Sequence, residues 1–318
     1  MKKTFLTLAI SIFALTAAAQ EFATINPDAR TAAMGDATVA ATADAYSIYN
    51  NAAAPLFEYQ TVQIGYLYAP WMPSELKGSD LMSVAGYVKL GQRHSIAVGG
   101  RMFREPKLTM DGDYPFIPTD ENGNPNYKVG ELTRPNGKSV ELAYGLKVCD
   151  KLALALTARY LHYANGLGDK YSAVNFDLAA YSQIPLRFRE GAAVNIGAQV
   201  SNGGFSIADG GFRQPLTAKV GASLYTPFGD AHSLLAEVDL GYRVMPAGVQ
   251  GLIANVGVEY SLMQLLKFRA GYAHHLYDYA TVGLGLRFMH VQVDASYWAA
   301  GAACPWRNTF RVGVGLEF

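Results

Sequence analysis

The feature that most constrains this chain is an alternation of apolar with small or polar residues, renewed in one short segment after another. Leu152, Leu154, Leu156, Ala158 and Tyr160 interleave with Ala153, Ala155, Thr157 and Arg159. Val140, Leu142, Tyr144, Leu146 and Val148 do the same against Glu141, Ala143, Gly145 and Lys147. Later, Val282, Leu284, Leu286 and Phe288 alternate with Gly283, Gly285 and Arg287. The closing run sets Phe310, Val312, Val314, Leu316 and Phe318 against Arg311, Gly313, Gly315 and Glu317. Successive side chains of a strand point to opposite faces, so each segment predicts a strand with one greasy face.

A soluble sandwich would also alternate, but its polar face meets water and is rich in Lys, Thr and Ser. Here the second face carries Gly, Ala and isolated charges of both signs. These are Arg101, Glu141, Arg159, Asp177, Glu237 and Asp239, then Glu259, Arg269, Arg287, Asp294, Arg311 and Glu317. Balanced, scattered charges suit a barrel interior, where they form a lumen charge network or contact a plug while the apolar face meets lipid. The expected fold is all-β: a transmembrane outer-membrane β-barrel of about fourteen antiparallel strands. Tyr66, Tyr68, Trp71, Tyr160, Tyr163, Tyr272, Tyr297 and Trp298 fall near strand ends, as interfacial girdles require.

Composition agrees. Charged residues are 16% of the chain, below the ~25% usual in soluble domains. The formal net charge is zero, which argues against an electrostatic nucleic-acid partner. No mature stretch approaches ~18 consecutive apolar residues, so spanning helices are excluded.

Strands are expected near 61–70, 81–90, 93–104, 138–148, 151–163, 172–184 and 191–201. Seven more are expected near 216–226, 232–243, 252–262, 267–275, 279–288, 290–298 and 308–318. Short periplasmic turns and longer outer loops are the rule for such barrels. With both ends periplasmic, the odd-to-even connections lie outside and include the long ones, 105–137, 202–215, 244–251 and 299–307. The even-to-odd connections include tight turns at Gly91-Gln92, Asp150 and Met289.

The barrel domain is thus 61–318. Residues 1–19 have the layout of a secretory signal peptide: Lys2 and Lys3, an apolar run from Phe5 to Leu15, then Ala17-Ala18-Ala19. Residues 20–60 do not alternate and read as short helices and turns. A barrel of this size is too wide for side chains alone to fill, so this segment is the expected plug. The localisation expected is the outer membrane of a Gram-negative cell.

Recognisable chemistry is sparse. Cys149 falls on a periplasmic turn and Cys304 on an outer loop, about 25 Å apart or more, so two free thiols are expected. His274 and His275 point to opposite faces of a strand and cannot easily share a metal. The acidic loop residues Asp111, Asp113, Asp120 and Glu121 miss a calcium-loop pattern, with Pro125 where glycine is needed. No nucleophile elbow, phosphate loop or Cys-x-x-Cys is present. The expectation is a non-enzymatic protein with no cofactor and no metal.

The stretch from Asn26 to Ala40, Asn-Pro-Asp-Ala-Arg-Thr-Ala-Ala-Met-Gly-Asp-Ala-Thr-Val-Ala, resembles the opening signature of the PorV/PorQ group of Bacteroidota outer-membrane barrels. Asp28, Arg30, Met34, Gly35 and Asp36 lie within it, and Ala43 to Ala53, with Asn50, continues it. Tyr68-Ala69-Pro70-Trp71 in the first hairpin matches the same group. The resemblance implies a FadL-like fourteen-stranded barrel with an N-terminal plug. For PorV-like members it implies an accessory role in type IX secretion: binding a giant translocon, collecting cargo through its C-terminal signal domain, and delivering it for surface attachment. The family's usual Asn-Pro-Ala reads Asn50-Asn51-Ala52 here, which weakens transfer of a FadL-type ligand-gating mechanism.

Three functions follow. The first is an accessory of secretion or surface attachment working by protein–protein contact, with outer-membrane lipid around it. Its candidate partner-contact loop carries Met110, Tyr114, Phe116, Ile117 and Tyr127, side chains typical of interface anchors. The second is a FadL-like transporter of a hydrophobic small molecule, with an apolar pocket built from Phe22, Ile25, Met34, Leu56 and Phe57. The third is a structural partner in another outer-membrane assembly.

Overall fold

The computed structural model describes residues 22–74, 77–106, 133–166, 169–207, 214–302 and 304–318. The proposed signal peptide, 1–19, lies outside the described residues. So do the loop residues Met110, Tyr114, Phe116, Ile117 and Tyr127.

The described residues form fourteen strands. The first seven are β1 (Val62–Pro70), β2 (Asp80–Leu90), β3 (His94–Arg104), β4 (Asn136–Cys149), β5 (Leu152–Ala164), β6 (Lys170–Pro185) and β7 (Ala193–Ser206). The rest are β8 (Thr217–Phe228), β9 (His232–Arg243), β10 (Gly251–Leu262), β11 (Leu266–His275), β12 (Tyr277–Phe288), β13 (Val291–Ala300) and β14 (Phe310–Glu317). Each pairs antiparallel with its neighbours in sequence, and β1 pairs with β14, so the sheet closes into a barrel with no free edge. The seam is sealed at the rim where both backbone N–H groups of Thr61 and Val62 donate to the Phe318 carbonyl.

Every segment expected to be a strand is one. The largest difference is at β7, which runs five residues past its expected end. The reason is a bulge: the ladder passes from Phe176↔Gly203 to Leu178↔Val200, leaving Asp177 opposite two residues of β7. The Asp177 carboxylate accepts the Asn202 N–H at 2.7 Å, and Asn202 adopts φ +59. That side-chain bond replaces the missing rung and lets pairing resume beyond it.

The face rule places the side chains. Leu142, Leu154, Val238 and Leu284 are exposed on the outer wall, while Glu141, Ala153, Glu237 and Asp239 are buried inside. Tyr66, Tyr68, Tyr160, Tyr272 and Tyr297 stand on the outer wall. The girdle expectation fails for three residues: Trp71, Tyr163 and Trp298 are 4%, 1% and 4% exposed and face the lumen. Parity is the cause for two of them, since Trp298 lies one residue and Tyr163 three residues from an outward tyrosine. Trp71 lies just past β1 and is turned in by its N–H bond to the Ser79 carbonyl.

The rim that carries both ends of the barrel has the tight turns, including Gly91–Arg93, Asp150–Lys151 and Met289–His290. The opposite rim carries the long connections, with one departure. β11 and β12 are joined there by Leu276 alone, at φ +57.

Candidate functional site: a plugged, charge-lined lumen

Phe22 to Gln60 fold inside the barrel. The Asp28 side chain accepts from the N–H groups of Arg30 and Thr31, which caps a single helical turn, Ala29–Ala32. Capping of this kind stabilises a helix by about 1 kcal/mol. Asn50 donates to the same carboxylate at 3.0 Å, tying the end of the plug to its beginning. Asn26 bridges Thr31 and Asp36 at 2.9 and 2.8 Å. A 3-10 turn, Ala54–Phe57, then leads to the wall.

The plug lies against the wall backbone to backbone, and glycine is what permits it. A Cβ on Gly35 would fall 2.6 Å from the backbone N and O of Tyr272, and Gly35 itself sits at φ +68. A Cβ on Gly197 of β7 would fall 1.9 Å from the Val39 carbonyl oxygen. Met34, wholly buried, is pressed against Gly257 in the same way. Small residues on both surfaces replace interdigitating side chains, so polar plug groups reach wall groups directly.

Those polar contacts form three buried clusters. In the first, Glu141 meets Arg101 and Arg159, each at 3.3 Å, and Arg159 meets Asp177 at 2.9 Å. The Tyr49 hydroxyl of the plug donates to Glu141 at 2.9 Å, and Arg101 donates to the Ile25 carbonyl at 3.0 Å. In the second, Arg30 of the plug and Arg269 of β11 share the Glu259 carboxylate at 2.9 and 2.6 Å, and Arg269 continues to Asp294 at 2.7 Å. Arg30 also donates to Thr42 and lies 3.7 Å from Asp44. Burial pushes the Asp44 carboxyl above the usual carboxylate range, Asp28 adds to that, and Arg30 opposes it. In the third, Asp239 accepts the N–H groups of Thr38 and Val39, and Glu237 accepts that of Ala40. Two wall carboxylates thus hold three successive plug amides.

The remaining charges behave differently. Arg287 pairs with Glu317 near the turn rim. Arg311 is buried with its guanidinium 3.8 Å from the Trp298 ring centroid, and none of its nitrogens has a hydrogen-bond partner. Asp36 accepts the Tyr279 hydroxyl at 2.6 Å, and the Gly35 N–H donates to Thr281.

Several residues of this arrangement carry no sequence signal of their own. Tyr49, Asp44, Asn202, Thr281 and Lys267, which lies 3.9 Å from Glu259, are ordinary polar residues until the barrel closes. Asn51 donates to both the Val39 and Ala180 carbonyls.

Separate cavities lie on the two sides of the plug. Towards the turn rim is a polar vestibule of about 540 Å³, with Gln60, Gln63, Gln264 and Gln292 in its lining. Towards the loop rim is a cavity of about 160 Å³ between plug and wall. The apolar pocket expected from Phe22, Ile25, Met34, Leu56 and Phe57 does not form as such. Phe22 is buried against Gly137 and Phe103 of the wall, Met34 against Gly257 and Leu56 against Gly145, and only Ile25 of the five lines the loop-side cavity. Phe57 packs on Tyr181 and under the Lys147 ammonium.

Cys149 is exposed, Cys304 is buried, and the two are unbonded. His274 pairs with Asp278 on the outer wall, while His275 faces the loop-side cavity. Among the described residues no three His, Cys, Asp or Glu side chains converge as a metal site.

A family model described as type IX secretion system protein PorV matches residues 12–201, more than half of the chain. The chain belongs to the PorV family. The matched region takes in the plug and the wall from β1 into β7, including the plug contacts of Asp28, Arg30, Gly35 and Asp36. Among curated proteins none matches significantly.

Among solved structures, the CymD monoaromatic hydrocarbon channel aligns with a TM-score of 0.57 and 11% identity, covering 93% of this chain and 98% of that one. The Pseudomonas putida toluene transporter TodX aligns at 0.53 and 12% identity, covering 90% and 96%. The Ralstonia pickettii toluene transporter TbuX gives 0.52 and 11%, covering 92% and 96%. Likeness at such identities shows a common barrel fold.

Proposed function

We propose that this PorV-family barrel is a non-enzymatic accessory of type IX protein secretion or surface attachment, seated in the outer membrane of a Gram-negative cell. It works by contacts with a translocon and with the C-terminal signal domains of cargo. The observation that carries this reading is the family match across the plug and half of the wall. The filled lumen supports it. A plug held by Glu141, Glu237, Asp239 and Glu259 suits a rigid scaffold better than an open pore. Contact then falls to the loop rim, where 105–137 is the longest connection and carries Met110, Tyr114, Phe116, Ile117 and Tyr127.

The test is gentle affinity purification from native outer membranes, with mass spectrometry of what accompanies the barrel. A very large barrel, or proteins sharing a C-terminal signal domain, is expected. A lone barrel carrying stoichiometric apolar ligand would replace this reading with transport.

That second reading, passage of a hydrophobic small molecule, is favoured by one observation: the loop-side cavity, in a fold shared with a hydrocarbon channel and a toluene transporter. Membership of some other outer-membrane assembly is the third.

A further inference from the structure

The chain has three tryptophans, and all three, Trp71, Trp298 and Trp306, line the loop-side cavity. Membrane barrels ordinarily spend tryptophan on interfacial girdles. Here the outward girdle is tyrosine and phenylalanine, and every indole is turned inward. Tyr279 stacks on Trp298 at 4.6 Å, Trp71 meets Trp298 edge-on at 5.7 Å, and Trp306 meets Tyr279 edge-on at 6.2 Å. The result is an aromatic wall on the β12–β14 side of the cavity. The cavity, at about 160 Å³, matches one ring in size; an apolar cavity of about 150 Å³ holds one benzene.

An aromatic wall can recognise a cation, but this one already has its cation. Arg311 lies 3.8 Å from the Trp298 ring and 5.1 Å from that of Trp71. The adjoining wall adds Lys219 of β8, Arg243 of β9 and His275 of β11. The acids beside the cavity are engaged: Asp36 by Tyr279 and Asn26, Asp177 by Arg159 and the Asn202 N–H. Two of the bases are held more loosely. Lys219 faces the Asp239 carboxylate without a close ion pair and reaches the Thr38 hydroxyl only at 3.5 Å. The His275 ring meets no side-chain partner and only the Leu252 backbone. A hydrocarbon would fill the space and leave these donors without a strong partner, a cost that grows as the ligand excludes water. An acidic group would satisfy them through charge-assisted hydrogen bonds.

We propose that the loop-side cavity binds a small aromatic anion, one ring bearing one acidic group, with the ring on the tryptophan wall and the acid towards Lys219 and His275. The site stands independently of the secretion role, because it rests on the cavity's lining and not on any partner.

Tryptophan fluorescence reads the site directly, since no indole lies elsewhere. The purified barrel in detergent is titrated with benzoate, with toluene and with benzyltrimethylammonium. A saturable change with benzoate is expected, tighter than with either comparator. Replacing Lys219→Gln weakens benzoate by about ten-fold, the worth of one charge-assisted bond, and leaves toluene unchanged. His275→Ala provides the second variant, and heat-modifiable migration on gels confirms that each is folded. No saturable response to benzoate, toluene bound equally well, or folded variants that bind benzoate like the parent would overturn the proposal.

Discussion

Single residues in this barrel are judged by what they touch across the lumen. Arg30 is wholly buried and shares Glu259 with Arg269. Removing one partner of a buried ion pair costs about 3–5 kcal/mol, because a charge is left behind. Arg30→Met is expected to lower the temperature of heat-modifiable unfolding clearly. The double variant Arg30→Met/Glu259→Met should be destabilised by less than the sum of the two single changes, because the contact between them is lost only once; strict additivity would mean the pair is not coupled. Gly197→Ala tests the close approach. Its Cβ would meet the Val39 carbonyl at 1.9 Å, whereas Gly203→Ala meets nothing nearer than 3.6 Å. Amide exchange at Thr38, Val39 and Ala40 should quicken in the first variant and stay unchanged in the second. Asp44 gives a pH dependence. Its carboxyl is raised in the folded state, so the folded protein binds the proton more tightly than the unfolded chain. Stability is therefore greatest below the ordinary carboxylate range and falls as pH rises through the raised value. Asp44→Asn should flatten that fall, measured as melting temperature against pH.

At the scale of elements, the question is whether the plug moves against the wall. The clusters around Glu141, Glu237 and Glu259 bind it at three places, and Ala29 packs on β14. A Cβ at Gly313 would lie 3.5 Å from the Ala29 Cβ, within the range that a disulfide spans. In a Cys149→Ser/Cys304→Ser background, Ala29→Cys/Gly313→Cys should crosslink under mild oxidation, seen as a shift on non-reducing gels. A fixed plug predicts that the locked protein still supports secretion. Secretion lost on oxidation and restored on reduction would show that the plug has to move.

For the whole molecule, the proposed contact surface is the loop rim of a closed barrel. Deleting 108–132 should abolish copurification of translocon or cargo and leave heat-modifiable folding intact. Retained binding would move the contact surface elsewhere, and loss of folding would give the loop a structural role.

The alternation in this chain by itself determined the strand number, the face of each residue on a strand, and the closed barrel with a tight-turn rim. These are local properties: side-chain direction in a strand depends on parity alone, so Glu141 and Leu142 are assigned without knowing their neighbours. Parity also assigns Trp298 inward, against its first reading as girdle, once Tyr297 is seen to be outward. What only the tertiary structure decided is which buried group meets which. Arg30 and Glu259 are 229 residues apart in sequence, and Thr38 finds Asp239 across 201. Such distances are bridged only when fourteen strands close with one register and the plug settles inside. The three tryptophans likewise become one wall only on closure, because β1 and β14, at opposite ends of the chain, are neighbours in the barrel.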